Sequence, residues 1–447
     1  MEEYGQGEIE VIPPEEEVTT STDSSPREMN IEEGINTLGM ELIENGDANW
    51  IYCNEGNNNI AVVFKVFTEK SNLDRKFHPI IDFIDNSVFR IKKKVKDKYL
   101  VKGIIDDEMT YSQYFYDHIA KNDKDIKPFL CKYDEVILST QAVESINAAI
   151  KEDRDKMIAE AHINYPLKTF QGIDTDLRYA SVMANLGSRY STSSKGVVKH
   201  VELKLGLIVP KPMQKSFTKH LNDTYSVEQL ERTKWFRNKS RFNAKQASLK
   251  KQGRSDTFCS YNPHIMTSGE PEAMKMALQE LFTNGSGYAK IFKQGEQYEV
   301  SERDIEIIVE FLCQGVIKQI EKYQSLDKSD LDEINEIYQE VIIEDPSPAD
   351  SITHYFETFH QRSTLGESDI NLVEYKWRRV LDWIVSETVK DSSIMIRWVE
   401  YLEDDIPKHS LDTLKIIDVD TKLCTKIPNY TKEIFTFFVS YAEYLFR

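Results

Sequence analysis

The sequence predicts an α+β protein in which a mixed α/β N-terminal domain precedes a mainly α-helical C-terminal domain. Two observations carry this reading: β-rich runs joined by turn residues lie before residue 70, and apolar residues at helical spacing dominate after residue 270. A third is length, because 447 residues are enough for two or three domains, each with its own core.

Residues 1–33 hold eleven acids against the single Arg27, with Ser, Thr and Pro between them, and such a segment repels itself and has little apolar surface to bury. A disordered acidic tail over residues 1–45, acting as a solubilising arm, is the expectation. Trp50-Ile-Tyr-Cys-Asn and Ile60-Ala-Val-Val-Phe-Lys-Val-Phe then read as two strands joined at Glu55-Gly-Asn-Asn-Asn, and Tyr99-Leu-Val-Lys-Gly-Ile-Ile offers a third. Residues 139–162 read as a helix capped by Ser139 or Thr140, with Val143, Ile146, Ala149, Ile150, Met157 and Ile158 on one face. Together these define a mixed α/β domain over 46–187.

Residues 188–256 form a basic belt. From Arg189 to Arg254 there are sixteen Lys or Arg against four acids, in a chain whose formal charge is −19. Local positive potential rather than total charge governs phosphate binding, so an acidic protein with one basic segment can still hold phosphates. Within the belt, residues 226–251 read as a helix, and its core interleaves Arg232, Lys234, Arg237, Lys239 and Arg241 with Trp235, Phe236 and Phe242. Such a pattern offers phosphate contacts beside rings on which bases stack, and fits a buried helix with a solvated basic face equally well. Trp235-Phe236-Arg237-Asn238 also resembles part of the recognition helix of a homeodomain, although Arg232 and Ser240 depart from that pattern.

The remainder, 257–447, is the most regular. Pro271 opens a helix that stops at Asn284-Gly285, Tyr288–Phe292 and Gln297–Val300 pair about Lys293-Gln-Gly-Glu, and Ser301-Glu-Arg-Asp304 is a capping box with Asp for Glu. After the break at Glu344-Asp-Pro-Ser-Pro, Val373, Trp377, Val380, Leu381 and Ile384 make a further helical stripe, and the last twenty residues are strongly apolar.

The search for chemistry returns little. No His lies in an HExxH spacing, Gly285-Ser-Gly287 is followed by neither a phosphate-binding nor a dinucleotide pattern, and there is no GxSxG. Asp404-Asp405 and Asp418-Val-Asp420 are carboxylate pairs that could hold a divalent metal, but with 75 acids such pairs arise by chance and a solvated face is the simpler reading. The five cysteines are too widely spaced for a CxxC site and read as free thiols, mostly in cores. No catalytic residue, metal site or cofactor is predicted, nor any membrane insertion.

The C-terminal third resembles the coat proteins of the closterovirus family, the long flexuous plant viruses. The residues that carry this are Lys290-Ile-Phe-Lys-Gln-Gly-Glu-Gln-Tyr-Glu-Val, then Tyr375-Lys-Trp-Arg-Arg-Val-Leu, then the run from Asp405-Ile-Pro to Ile416-Ile-Asp418-Val. Arg379, or its neighbour Arg378, stands for the family's helical Arg, and Asp418 follows Arg379 by 39 positions. In size the chain is similar to the minor coat proteins of the crinivirus branch. The resemblance implies a coat-protein-like helical domain, a buried Arg379–Asp418 salt bridge, and a non-enzymatic virion protein in host cytoplasm. It also implies a helical filament shared with a major coat protein and single-stranded viral RNA, covering one end of that RNA, with a role in movement and contact with an insect vector. RNA contacts then fall to Arg379 in the coat domain and to Lys234, Arg237, Lys239 and Arg241 in the belt. The other classes weighed are a non-polymerising nucleic-acid-binding regulator or replication accessory protein that uses the belt, and an interaction adaptor.

Overall fold

Two five-stranded antiparallel sheets organise the computed structural model, which describes residues 31–55, 59–84, 87–92, 123–131, 133–161, 173, 178–184, 186–187, 196–232, 240–253, 257–285, 287–346, 372–419, 422 and 424–446. The first sheet runs β1 (Ala48–Glu55), β2 (Asn59–Val66), β3 (Ser87–Lys92), β5 (Tyr179–Ala184) and β4 (Tyr133–Ile137) in spatial order. The second runs β10 (Ile406–Ile417), β9 (Ser393–Glu403), β6 (Val197–Leu203), β7 (Ala289–Lys293) and β8 (Glu296–Gln297).

In the first sheet, Trp50 in β1 lies edge-on to Phe64 of β2 and Phe89 of β3, at ring separations of 4.9 and 5.2 Å, in the geometry aromatic quadrupoles prefer. The helices packed in this part are α1 (Ile31–Glu33), α2 (Met40–Glu44), α3 (His78–Ile84) and α4 (Thr140–Ala161). Residues Val143, Ile146 and Ile150 of α4 are buried with Ile60, Val62 and Phe89 of the sheet. The hairpin and the helix read from the sequence are both present. The strand expected at Tyr99–Ile105 lies outside the described residues.

The second sheet is flanked by α5 (Lys215–Thr224), α6 (Val227–Arg232), α7 (Arg241–Lys251), α8 (Pro271–Asn284), α9 (Glu302–Leu312), α10 (Val316–Gln324), α11 (Leu331–Glu344), α12 (Leu372–Asp391) and α13 (Ile427–Leu445). Ser301 caps α9 through the predicted box: its hydroxyl accepts from the Asp304 N–H, and the Asp304 carboxylate accepts from the Ser301 N–H. The α+β class holds, but the C-terminal half carries a sheet as well as helices. The sequence reading missed β6, β9 and β10. In β9 the inward residues Ile394, Ile396 and Trp398 alternate as a strand requires, whereas the outer half of β10 is exposed and polar, which hid the pairing. Asp404 and Asp405, read as a carboxylate pair, both take positive φ (51° and 65°) and form the two-residue turn that joins β9 to β10.

Three cores result. One lies beneath the first sheet; one joins the second sheet to α8, α9 and α10; the third gathers α5, α7, α11, α12 and α13. Helix α12 belongs to two of them, since Trp377, Val380, Leu381, Trp383 and Ile384 pack in the helical core while Val385 and Val389 pack with the sheet. The two sheets meet at a small seam of Cys131, Met183 and Leu186 against Val88, Met395 and Ile417. Across it Lys415 Nζ donates to the Pro128 carbonyl at 2.8 Å, and a parallel bridge links Leu130 to Ile416. All five cysteines are free thiols, with Cys131, Cys259 and Cys424 buried. Among the described residues no helix is long and apolar enough to cross a membrane.

One buried ion network ties the second sheet to α9. Lys199 Nζ lies 2.8 Å from Asp304 Oδ1 and 2.9 Å from Glu400 Oε2. Burial alone would raise the Asp304 pKa; the hydrogen bonds from Lys199 and Ser301 overcome it and bring it below the usual value. A carboxylate depressed on folding contributes stability that is complete above its unfolded pKa, about 3.9, and is lost as pH falls through the lower folded one. Asp304→Ala is therefore expected to cost about 3 kcal/mol, the low end for breaking a buried pair because Glu400 remains on Lys199, and to remove part of the acid-limb loss of stability. Urea unfolding at pH 7 and pH 3 measures both.

Candidate active site

The C-terminal end of α12 meets the start of β9 with only Ser392 between them, and three ionisable residues stand in its last turn and a half: Glu387, Lys390 and Asp391. Glu387 is 1% exposed and binds two cations, accepting from Arg241 Nη1 on one oxygen and from Lys390 Nζ on the other. Asp391, by contrast, keeps 40% of its side chain open to solvent. Its two oxygens lie 2.9 Å from Lys422 Nζ and 3.6 Å from Lys390 Nζ. Lys245, from α7, adds a further charge that acts on Asp391 and stands 5.6 Å from the centre of the Tyr288 ring. The Lys422 backbone N–H donates to Thr388 Oγ1 at 3.1 Å, which fixes the segment after β10 against α12.

The electrostatics are one-sided. Arg241, Lys245, Lys390 and Lys422 supply four positive charges against the carboxylates of Glu387 and Asp391. Burial pushes the Asp391 pKa up, but the charges of Lys390 and Lys422 outweigh it and bring it down to about 2. Burial likewise disfavours the Lys390 and Lys422 ammonium groups, yet Asp391 raises both above the ordinary lysine value. Glu387 is held below its usual value by Lys390 and Arg241 in spite of its burial. These shifts favour the charged forms of Glu387, Lys390, Asp391 and Lys422 near neutral pH, and with Arg241 and Lys245 beside them the excess is positive, as a polyanion requires.

A second charged group adjoins the first through the short run Asp391-Ser392-Ser393. Ser393 Oγ lies 3.3 Å from Glu202 Oε1 and 3.4 Å from Asp418 Oδ2. Asp418, just after β10, has a positive φ of 57°, and its carboxylate lies 3.3 Å from Arg90 of β3 and 3.9 Å from Lys204, the residue after β6. A non-glycine residue in the left-handed region is uncommon, though Asp tolerates it better than most. Here the turn brings the carboxylate to the junction of the two sheets. Among the described residues no group of three or more His, Cys, Asp or Glu side chains gathers as a metal site; the Glu202 and Asp418 carboxylates on Ser393 are a pair of oxygen donors of the kind that meets a divalent cation carried by phosphates.

The residues singled out in the sequence are distributed differently from the expectation. The Arg379–Asp418 pair is replaced by two separate sets: Arg379 Nη2 donates to Glu333 Oε1 at 2.7 Å and to Ser329 Oγ, tying α12 to α11, while Asp418 sits with Arg90 and Lys204. Both charges found partners farther off along the chain than the 39-residue spacing: Glu333 is 46 positions from Arg379, and Lys204 and Arg90 are 214 and 328 positions from Asp418. Of the belt residues, Arg241 enters the site, and Lys234, Arg237 and Lys239 lie outside the described residues, as does Asp420. Missed altogether were Lys245, Glu387, Lys390, Asp391 and Lys422, and Glu202 and Lys204. The available signal was Val389-Lys-Asp-Ser-Ser-Ile-Met-Ile, a Lys-Asp pair at the end of a long amphipathic helix directly before an alternating strand.

A family model described as inositol-pentakisphosphate 2-kinase matches residues 52–433, which is most of the chain. No curated protein matches the chain at a significant level. The family match overturns the closterovirus resemblance and what it implied: the capsid function, the viral RNA, coat-protein and vector partners, and the virion location. It equally overturns the expectation of no enzyme, and gives no support to the nucleic-acid regulator. The closterovirus pattern was loose enough to be met by unrelated helices, whereas this match spans both sheets and the charged junction between them.

Replacing Lys422 with Met removes the closest cation from Asp391, so the Asp391 pKa is expected to rise above its value of about 2. Carboxyl-carbon NMR titration of aspartate-labelled protein reads the shift directly.

Proposed function

We infer that this chain, which belongs to the inositol-pentakisphosphate 2-kinase family, transfers a phosphoryl group from a nucleoside triphosphate to the 2-hydroxyl of an inositol pentakisphosphate. The observation that carries the reading is the solvent-open Asp391 carboxylate set among Arg241, Lys245, Lys390 and Lys422. A small ring dense with phosphates needs convergent cations, and its one reacting hydroxyl needs a carboxylate to accept its hydrogen bond.

In this reading the four cations hold the acceptor's phosphates and Asp391 aims the hydroxyl oxygen at the donor phosphorus. Phosphoryl transfer passes through a loose transition state, so the protein acts mainly by positioning and by stabilising spread negative charge. An Asp391 ionised down to about pH 2 suits that role. It is always ready to accept the hydrogen bond, and takes the proton only as the new P–O bond forms. Lys204, beside Asp418, supplies a cation for the donor phosphates, and Arg90 reaches the same point from the first sheet. Glu202 and Asp418 would hold a divalent cation there, which when bound neutralises charge on the transferring group.

The test is an assay with labelled nucleoside triphosphate and purified inositol pentakisphosphate. Label transfer to give inositol hexakisphosphate is expected, and its absence over a range of inositol phosphates overturns the reading. Asp391→Asn is expected to lower kcat by about 10²–10⁴-fold while leaving acceptor binding in place. Lys204→Met is expected to raise the KM for the nucleotide with little change in that for the acceptor.

A further inference from the structure

Glu387 stands beneath the cationic surface and has no place in the transfer step itself. At 1% exposure it reaches no substrate, yet it joins Arg241 of α7 to Lys390 of α12, two elements that approach from different parts of the chain. The two cations repel one another, and each keeps only about a tenth of its side chain exposed, 11% for Arg241 and 13% for Lys390. Lys390 is also the cation 3.6 Å from Asp391, so its placement is set from two sides. Arg241 has five N–H donors in a rigid fork and Lys390 has three, more than one carboxylate consumes.

We propose that Glu387 is a positioning residue for the acceptor: it holds Arg241 and Lys390 side by side as a paired clamp on the phosphates that flank the reacting hydroxyl. The proposal rests on the kinase reading above. Local rules support it. Arg241 is the first residue of α7, where the helix dipole disfavours a cation, and Glu387 lies near the end of α12, where it disfavours an anion. Each charge is misplaced for its own helix and well placed for the other, which is the pattern of groups retained for a site rather than for the helices that carry them.

Positioning and bulk charge make opposite predictions. Glu387→Gln leaves the set with four cations against Asp391 alone, so if Glu387 only offsets charge, polyanions bind more tightly. If it positions the clamp, the KM for inositol pentakisphosphate rises about tenfold or more and kcat falls, while the KM for the nucleotide stays within about twofold. Calorimetry with inositol hexakisphosphate gives a second readout without turnover, and weaker binding is expected there too. Unchanged or tighter acceptor binding overturns the proposal. Thermal unfolding reports whether the variant folds. If it does not, Glu387→Asp carries the same test, because it keeps the charge and withdraws it by one methylene. Wild-type affinity in that variant overturns the proposal, and the same loss supports it. A wild-type chain that binds inositol phosphates without phosphorylating them overturns the kinase reading alone, with calorimetry still deciding Glu387; one that does neither overturns both.

Discussion

Like charges do not gather without a counter-charge, and four cations at the junction of α7, α12 and the segment after β10 are held by two carboxylates of different standing. Glu387 is buried and fully engaged; Asp391 is open and shared. Had both been buried, the cations would be neutralised and unavailable to a ligand. Had both been exposed, water would screen the pairs, whose contribution would fall toward the 0–1 kcal/mol of surface ion pairs. The division gives a surface that is ordered from below and positive above.

That arrangement depends on α12 being rigid at its C-terminal end, and the packing supplies this. Trp377, Val380, Leu381, Trp383 and Ile384 fix the first part of the helix in one core, and Val385 and Val389 fix the last turns in another. Ser392 leaves no slack before β9, which is paired on both sides, with β10 and with β6. Asp391 is thus placed by two cores and a strand pairing at once. The donor side has a looser foundation, since the seam between the sheets is small and the Arg90–Asp418 contact at 3.3 Å is a partly exposed pair.

Much of the fold was legible because its elements announce themselves locally. The β1–β2 hairpin, α4, the Pro271 helix start and the Ser301–Asp304 box all follow from spacing and capping chemistry that need no tertiary information. The second sheet was not legible, because its central strand β6 is buried on both faces from Val198 to Val201, Lys199 and His200 included, and so shows no alternation, and its edge strand β10 is half exposed. The site was legible least of all. The four cations around Asp391 alone are separated by up to 181 positions, from Arg241 to Lys422, and no short spacing records their convergence. Asp418 was noticed for the wrong pairing, and Lys390-Asp391 was not singled out.

The basic belt shows why a count of charge along the chain is a poor guide to a binding surface. Its sixteen cations suggested an extended phosphate-binding face. In the structure Lys199 is taken up by Asp304 and Glu400, and Lys211 is buried against Asp327 and the carbonyls of Gln324 and Asp327. Their positive charge is spent on holding the second sheet to its helices. Among the described belt residues, Arg241 and Lys245, joined by Lys390 and Lys422 from elsewhere in the sequence, come together around Asp391, and Lys204 stands beside Asp418. The belt was read for a nucleic-acid backbone, which asks for cations spaced along a track, whereas the phosphorylated ring of the proposed function asks for cations converging on a point. What separates the two ligands is convergence, which is a property of the fold and not of the local sequence.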